Sequence, residues 1–380
     1  MIRAAVMRGP GDIAVAEFPR PGLRPGEVLL RLRLSGVCGT DKHTYRGETL
    51  QYAGTAHERR IAYPLVCGHE NVGVVEEVAG EVRASDGRPV RPGDRVVPAA
   101  NVPCGRCAFC LNGAPYSFCE HLDDYGNSLG CAEPPHLFGG WAEQMVLLAG
   151  TPLFRVPDEL PDEAAVLTEP LAVTHGLDTA RLLAHGQGGS AFGESVAVVG
   201  FGPLGLCHLL KARLAGCGRL VAVDRLPSRL DLAAELGATL TLNVDETDLE
   251  ERVARVREHT GGLGADVVAD CSGVPETLPE CLRLVRHGGV VVEAGAFVDL
   301  GPVPVNPAAD LCARNVAVLG IGGETARAYA PSLELLARNL DRLPLDRIVT
   351  HRFALDDAAE ALAVAQADGA MKVVFDPVLA

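Results

Sequence analysis

The sequence predicts an α/β protein of two domains, and three observations support this fold class. The chain has 380 residues, which is enough for more than one hydrophobic core. Up to about residue 150, short strand-like segments such as 28–34, 72–78 and 94–97 are punctuated by Gly and Pro, which is typical of an antiparallel barrel or sandwich. From about residue 170, apolar Val-rich segments alternate with helical ones, which indicates a doubly wound parallel sheet with helices on both faces.

The order of the segments also predicts where the domains begin and end. The expected strands of the parallel sheet are 195–199, 219–224, 265–270, 289–293 and 316–320. A helix, a strand, a helix and a strand should follow, at 331–339, 347–353, 356–367 and 372–375. We expect these last strands to return to the first domain, which would then comprise residues 1–172 and 323–380, with the parallel sheet in 173–322.

Charge and composition exclude several classes of partner. The formal net charge is −15, whereas nucleic acids and anionic membranes are bound by basic patches, so neither is expected as a partner. No apolar run reaches the roughly 18–20 residues of a membrane span. The N-terminal residues do not resemble a signal peptide, and cysteines are scattered through the chain, so we expect a cytoplasmic protein.

Four closely spaced cysteines predict a structural metal site in a lobe at about residues 98–125. Their spacing suits four thiolates around one tetrahedral Zn²⁺, which closes the site to substrate. The alternative is a pair of disulfides in a secreted loop, which the missing signal peptide does not favour. The expected zinc ligands are Cys104, Cys107, Cys110 and Cys119.

A glycine-rich turn predicts a dinucleotide site. The motif G-x-G-x-x-G directly follows the strand 195–199 and opens a helix, as the phosphate-binding turn of a Rossmann domain does. Gly200 permits the tight turn, Gly202 lets a pyrophosphate approach the backbone, and Gly205 permits close packing of helix on strand. The whole expected phosphate-binding segment comprises Gly200, Phe201, Gly202, Pro203, Leu204 and Gly205.

The end of the second strand bears on the choice of cofactor. Asp224 ends this strand, and a carboxylate there accepts hydrogen bonds from the adenine-ribose hydroxyls and repels a 2′-phosphate. NAD is therefore favoured over NADP. Arg225 and Arg229 follow closely and keep NADP as the alternative.

Two short motifs in the first domain predict a second metal site. Cys38 is followed by Gly-Thr-Asp, and His69 and Glu70 follow Cys67-Gly68. A thiolate, an imidazole and a carboxylate form a mixed ligand set that Zn²⁺ accepts, with a position left for water or substrate. The sequence thus predicts two zinc ions per chain.

These motifs, in this order, resemble those of zinc-dependent medium-chain dehydrogenases, nearer the polyol (sorbitol, butanediol) and threonine dehydrogenase branch than the liver alcohol dehydrogenase branch. The resemblance runs from about residue 1 to 376 and implies a GroES-like catalytic domain interrupted by a Rossmann domain, with the active site in the cleft between them. The motifs that carry it are Cys38-Gly39-Thr40-Asp41, Gly68-His69-Glu70, the four cysteines, Thr168-Glu169-Pro170-Leu171, the glycine turn and Met371-Lys372-Val373-Val374.

The resemblance also implies roles for individual residues. Cys38, His69 and Glu70 would hold the catalytic zinc, and Glu169 would be a further ligand that exchanges with water. Thr40 and His43 would relay the alcohol proton to solvent, whereas the neighbouring Asp41 is expected to cap a turn. Hydride would pass between the nicotinamide ring and a small alcohol or carbonyl substrate, and relatives of this kind form homodimers or homotetramers.

Three other functions share some of these features. A methyltransferase could use the glycine turn and Asp224, but it needs neither zinc set. A metal-free quinone reductase would lack Cys38, His69 and the four cysteines. A non-catalytic redox-sensing protein could bind NAD and zinc without turnover.

The segment 46–63 is longer than in common members of the family. We expect it to form part of the substrate-pocket rim, because it leaves the relay residue and returns to the zinc histidine. With Tyr45 just before it, its polar residues suit a polar or charged substrate, and they include Tyr52, His57, Glu58, Arg59 and Arg60.

Overall fold

The structure is a computed structural model that describes residues 1–51, 53–55, 58–189 and 193–379. The chain forms two compact units. The first unit comprises Met1–Ala172 and Thr325–Ala380, and the second comprises Val173–Glu324. Each unit has its own hydrophobic core.

The N-terminal part of the first unit is rich in short strands, as the sequence predicts. Its strands are β1 (Ile2–Gly9), β2 (Asp12–Phe18), β3 (Val28–Gly36), β4 (Leu50–Gln51), β5 (Arg59–Arg60), β6 (Leu65–Val66), β7 (Asn71–Val78), β8 (Arg95–Pro98), β9 (Asn101–Val102), β10 (Asp123–Asp124), β11 (Gln144–Leu147) and β12 (Leu153–Arg155). Its helices are α1 (Gly39–Arg46), α2 (Ala108–Leu111), α3 (Asp162–Ala165) and α4 (Thr168–Val173).

The second unit is a parallel sheet with helices between its strands. The helices are α5 (His175–Gly186), α6 (Pro203–Leu214), α7 (Pro227–Glu235), α8 (Leu249–His259) and α9 (Thr277–Leu284). The strands are β13 (Ser195–Val199), β14 (Arg219–Asp224), β15 (Leu240–Asn243), β16 (Ala265–Asp270), β17 (Val285–Glu293) and β18 (Ala317–Gly320), in the sheet order β15-β14-β13-β16-β17-β18. All these pairs are parallel, and the strand order reverses beside β13, as in a doubly wound fold.

The C-terminal segment returns to the first unit and completes its main sheet. Its elements are α10 (Ala326–Arg338), α11 (Leu345–Ile348), β19 (Val349–Phe353), α12 (Ala358–Gln366) and β20 (Lys372–Phe375). Phe375 pairs with Ser35 of β3 in an antiparallel register, and β19 pairs with β20 in parallel. The main sheet has the order β12-β8-β7-β3-β20-β19, and β11 also pairs with β3. The expected return of the last strands is confirmed.

Two predicted boundaries in this segment were wrong. The helix expected at 331–339 begins five residues earlier, at Ala326, and contains Pro331 in its interior. The added turn buries Tyr329, whose ring stacks on Phe154 at a centroid distance of 4.8 Å, so packing outweighs the hydrogen bond that proline cannot donate. The strand expected from residue 347 begins at Val349, because the preceding residues form α11.

None of the helices in the described parts of the chain combines the length and the hydropathy needed to span a lipid bilayer.

Candidate catalytic and cofactor sites

The first motif lies at the N-terminus of α1. Cys38 caps the helix, and the Asp41 carboxylate accepts the Cys38 backbone N–H at 2.8 Å. Asp41 is almost fully buried, and this burial raises the pKa of its carboxyl group. The expected capping role of Asp41 agrees with this geometry, and the cap holds the backbone of Cys38.

The structure brings Cys38, His69 and Glu70 together. One possible ligand atom from each lies within 4.8 Å of the others. Burial lowers the pKa of His69, but the charge of Cys38 and its hydrogen bond, aided by Asp41 and Glu169, raise it well above its ordinary value. The half-buried imidazole thus lies among negatively charged groups, and this mixed donor set fits zinc.

Close backbone packing sets the positions of these residues. Gly68 has a φ of +95°, and a Cβ there would lie 2.5 Å from both Ser35 Oγ and Trp141 Cδ1. A Cβ on Gly36 would overlap the Glu70 carboxylate. Trp141 is fully buried, and its Nε1–H donates to the Gly36 carbonyl at 3.3 Å. Only glycines at these two positions leave room for the neighbouring side chains of Ser35, Glu70 and Trp141.

A buried ion pair joins Glu70 to the last strand of the sheet. Lys372 Nζ bonds to Glu70 Oε2, and the side chains are 1% and 2% exposed. Lys372 also donates to the Val37 carbonyl at 3.3 Å. The sequence motif around Lys372 contributes to the family resemblance but does not reveal the contact of Lys372 with Glu70.

Glu169 is placed differently from the other expected ligands. It is buried in α4 and lies outside the group formed by Cys38, His69 and Glu70. It is near enough to raise the pKa of His69 through its charge.

The expected relay residues lie on α1. Thr40 Oγ1 is 3.7 Å from Cys38 Sγ. His43, one helical turn further on, has its Nδ1 atom 2.6 Å from Glu48 Oε2. Burial lowers the pKa of His43, the Glu48 hydrogen bond raises it, and Arg46 lowers it further, so the net shift is downward. No motif in the sequence indicates that Glu48 contacts the imidazole.

The four cysteines of the lobe converge. Their sulfur atoms lie within 4.8 Å of one another. The backbone N–H groups of Cys110 and Glu120 lower the pKa of Cys107 to about 6, whereas burial raises that of Cys110 to about 12. The surroundings thus favour the thiolate form of Cys107 and the neutral thiol of Cys110. A bound Zn²⁺ would let all four cysteines ionise. Cys119 also accepts N–H groups from Cys104 and His121, at 3.3 and 3.4 Å.

The glycine turn of the second unit has the geometry of a phosphate-binding turn. Gly200 has a φ of +83°, and a Cβ there would lie 2.5 Å from Ser272 Cα. A Cβ on Gly205 would overlap the Gly200 carbonyl, which explains the close approach of α6 to β13. A Cβ on Gly202 would meet only Arg229 Nη1, at 3.9 Å, so the backbone beside it is open. Pro203 and Leu204 form the first turn of α6, whose N–H groups suit an anion.

Asp224 is held beside this turn. Its carboxylate accepts the backbone N–H of Phe201 at 2.7 Å and that of Leu226 at 2.9 Å. Arg229 Nη1 lies 3.6 Å from the same carboxylate, and Arg225 is exposed at the strand end.

The extended segment 46–63 contains a short hairpin of β4 and β5. Two contacts fix it: Gln51 Nε2 donates to Asn127 Oδ1 at 3.0 Å, and Arg59 forms an ion pair with Asp124. Arg59 therefore has an acidic partner within the protein. Tyr52 and His57, which we also expected at the rim, lie outside the described residues.

Both units match known protein families. The family model for an alcohol dehydrogenase GroES-like domain matches residues 24–158, and that for a zinc-binding dehydrogenase matches 203–338. The chain is 34% identical to 5-exo-hydroxycamphor dehydrogenase of Pseudomonas putida, over 99% of both chains.

The fold of the chain is also similar to those of solved structures. An alcohol dehydrogenase from Thermotoga maritima has a TM-score of 0.89 and 31% identity, with 99% of both chains covered. A zinc-binding dehydrogenase from Sinorhizobium meliloti, bound to NADP, has a TM-score of 0.83 and 30% identity at the same coverage. The expected combination of GroES-like and Rossmann folds is confirmed.

Nothing in these comparisons favours the non-catalytic alternative. The chain belongs to the zinc-dependent medium-chain dehydrogenases, in the branch that includes erythritol/L-threitol, sorbitol and L-threonine dehydrogenases, and it is an oxidoreductase that acts on alcohols.

Proposed function

We propose that this protein is an NAD-dependent dehydrogenase of a secondary alcohol, polyol or amino alcohol, with two zinc ions per chain. Cys38, His69 and Glu70 would hold the catalytic zinc, and Glu169 would exchange with water as a further ligand. The four lobe cysteines would hold the structural zinc. The observation that carries the proposal is the convergence of thiolate, imidazole and carboxylate within 4.8 Å.

The residues of α1 supply the proton transfer. When bound, zinc would act as a Lewis acid that lowers the pKa of the substrate alcohol. The hydroxyl of Thr40 takes up the alcohol proton and gives its own to His43, which passes one on to solvent. The downward shift in the pKa of His43 suits a group that must be a base near neutral pH. When bound, the nicotinamide would accept the hydride and so supply the redox chemistry.

The NAD preference rests on Asp224. Its carboxylate is fixed by two backbone N–H groups at the strand end, where a 2′-phosphate would meet a negative charge. We expect kcat/KM to favour NAD over NADP by at least about tenfold, and Asp224→Gly to erode that preference. Arg225 and Arg229 would then meet the phosphate. Equal use of both cofactors by the wild-type protein would contradict this part of the proposal.

The hairpin of segment 46–63 is our candidate for the substrate-pocket rim. It begins just after α1, which carries Thr40 and His43. Gln51 and Arg59 connect it to residues in and near β10. Shortening it by about six residues should raise KM or change the order of preferred substrates, with NAD affinity and zinc content unchanged. An unaltered substrate profile would assign the rim to other residues.

The protein is further proposed to be cytoplasmic and to form a homodimer or homotetramer. The strand β18 ends the described sheet of the second unit, and its Val318 is 44% exposed, which offers an edge for pairing with another copy. Light scattering coupled to size-exclusion chromatography measures the assembly, and a monomer would contradict it.

The central experiment is a screen of NAD reduction across polyols, diols and amino alcohols, combined with elemental analysis of zinc. Cys38→Ser should abolish turnover and reduce zinc from two ions to one, with the fold retained. Cys312→Ser is the matched control, because Cys312 is an exposed cysteine outside both metal groups. Binding of NAD without turnover on any alcohol would support the redox-sensing alternative instead.

A further inference from the structure

The chain after α1 folds back so that Glu48 meets the helix. Gly47 has a φ of +85°, and a Cβ there would lie 3.0 Å from Pro10 Cγ, so the turn requires glycine. The Glu48 backbone N–H donates to the His43 carbonyl at 3.0 Å. Its carboxylate oxygen lies 2.6 Å from Nδ1 of the same histidine. The backbone and the side chain of Glu48 thus both contact His43.

Arg46 holds the carboxylate in place. Its Nη2 and Nε atoms lie 2.8 and 3.2 Å from Glu48 Oε2, and its Nη1 donates to Gln366 of α12 at 3.3 Å. The hydrogen bond from Arg46 is the largest cause of the lowered pKa of Glu48, so the carboxyl group is ionised at neutral pH. The arginine thereby anchors Glu48 between two helices.

The chemistry of these groups fixes the tautomer of the histidine. An ionised carboxylate only accepts hydrogen bonds, and a guanidinium group only donates them. Arg46 Nη2 lies 3.0 Å from His43 Nδ1, but the carboxylate at 2.6 Å needs a donor. Nδ1 therefore carries a hydrogen and donates it to Glu48. A neutral imidazole that donates from Nδ1 carries its lone pair on Nε2.

We propose that Glu48 is the positioning residue of the proton relay, which holds His43 as the Nδ1–H tautomer with Nε2 free to accept the substrate proton. This inference rests on the relay role proposed for His43 above. As the N–H bond forms at Nε2, the O–H bond of the Thr40 hydroxyl breaks, and the Thr40 oxygen takes the alcohol proton. The imidazolium ion keeps its Nδ1–H on Glu48 and later returns one proton to water. Glu48 stays ionised throughout.

The charge of Glu48 also bears on the pH at which the relay works. The charged groups that act on the imidazole are Glu48, Arg46 and Lys42, and Arg46 in turn contacts the uncharged amide of Gln366 on α12. Among the charged groups, only Glu48 favours the imidazolium form. Its removal should therefore move the acidic limb of the kcat profile to lower pH.

The test compares Glu48→Ala, Glu48→Gln and the matched control Glu81→Gln. Glu81 pairs with an arginine two residues away, as Glu48 does, but on an exposed surface. We expect Glu48→Ala to lower kcat about tenfold and to move the acidic limb to lower pH. Glu48→Gln keeps an acceptor oxygen, so it should retain more of kcat while moving the limb similarly. The control should match the wild type.

Nitrogen NMR of ¹⁵N-histidine-labelled protein reads the tautomer directly, and His43→Gln identifies the signal of His43. The expected result is a protonated Nδ1 in the wild type and a mixture of tautomers in Glu48→Ala. Full activity of His43→Gln would overturn the relay role itself. A strong loss in His43→Gln with an unchanged pH profile and tautomer in Glu48→Ala would overturn the inference on Glu48 alone. A fall in kcat of Glu48→Ala that follows only a lower melting temperature would make its role structural and would equally overturn it.

Discussion

Removing the cationic partner of Glu70 should destabilise the first unit strongly. Both side chains of the Lys372–Glu70 pair are almost fully buried, so in the zinc-free protein Lys372→Met leaves the Glu70 carboxylate buried without a cationic partner. Breaking a buried pair from one side costs about 3–5 kcal/mol. We expect a loss of this size in the free energy of unfolding of the first unit.

The protein carries its own probe for this measurement. Trp141 is the only tryptophan in the sequence, and its ring lies 4.7 Å from that of Phe375 on the strand that bears Lys372. Urea unfolding followed by tryptophan fluorescence therefore reports the sheet that contains the pair.

Two comparisons make the interpretation specific. Arg338→Met removes the cation of an exposed pair with Glu334, whose side chains are 74% and 58% exposed, and should change the free energy by less than about 0.5 kcal/mol. Combining Glu70→Gln with Lys372→Met should cost less than the sum of the two single changes, by about 1–3 kcal/mol. A loss below about 1 kcal/mol in Lys372→Met, or strict additivity in the double variant, would refute the reasoning.

Three further predictions follow from buried groups. Burial lowers the pKa of His208 to about 4, against about 6.5 in the unfolded chain, so only the unfolded chain takes up the proton as the pH falls through this range. The free energy of unfolding should therefore fall by about 2 kcal/mol between pH 7 and pH 5. His208→Gln should not show this fall when urea unfolding is followed by circular dichroism. Cys107→Ser should reduce zinc to one ion per chain and lower the melting temperature; unchanged zinc by elemental analysis would contradict it. Gly36→Ala should displace the Glu70 carboxylate and lower both zinc content and kcat, whereas a fully active variant would show that the backbone there can shift.

Local patterns in the sequence were enough to identify most of the candidate site. The four cysteines lie within sixteen residues, and the glycine turn with Asp224 lies within one strand–helix–strand segment. Such motifs are short because their residues act together across one turn or one loop, so spacing alone reveals them. The parallel sheet could also be predicted from the sequence, since buried strands are continuous apolar runs.

Contacts made through the tertiary fold could not be read in this way. Lys372 and Glu70 are 302 positions apart, and no local pattern pairs them. Glu48 is only five residues from His43, but the contact depends on the left-handed conformation of Gly47, and sequence spacing does not reveal that conformation. The hairpin of β4 and β5 was missed because strands of two residues leave no periodicity to detect.

The return of the chain to the first unit has a consequence for how the protein is made. Strand β20 lies between β3 and β19, and it supplies the ammonium group that neutralises Glu70. During synthesis, Glu70 leaves the ribosome long before Lys372, and all of Val173–Glu324 is translated between them. The second unit can therefore complete its sheet while the first still has an unfilled gap beside β3 and an unpaired carboxylate. On the ribosome, the surroundings of the proposed metal site are completed only when β20 emerges, so we expect a nascent chain to gain activity no earlier than that.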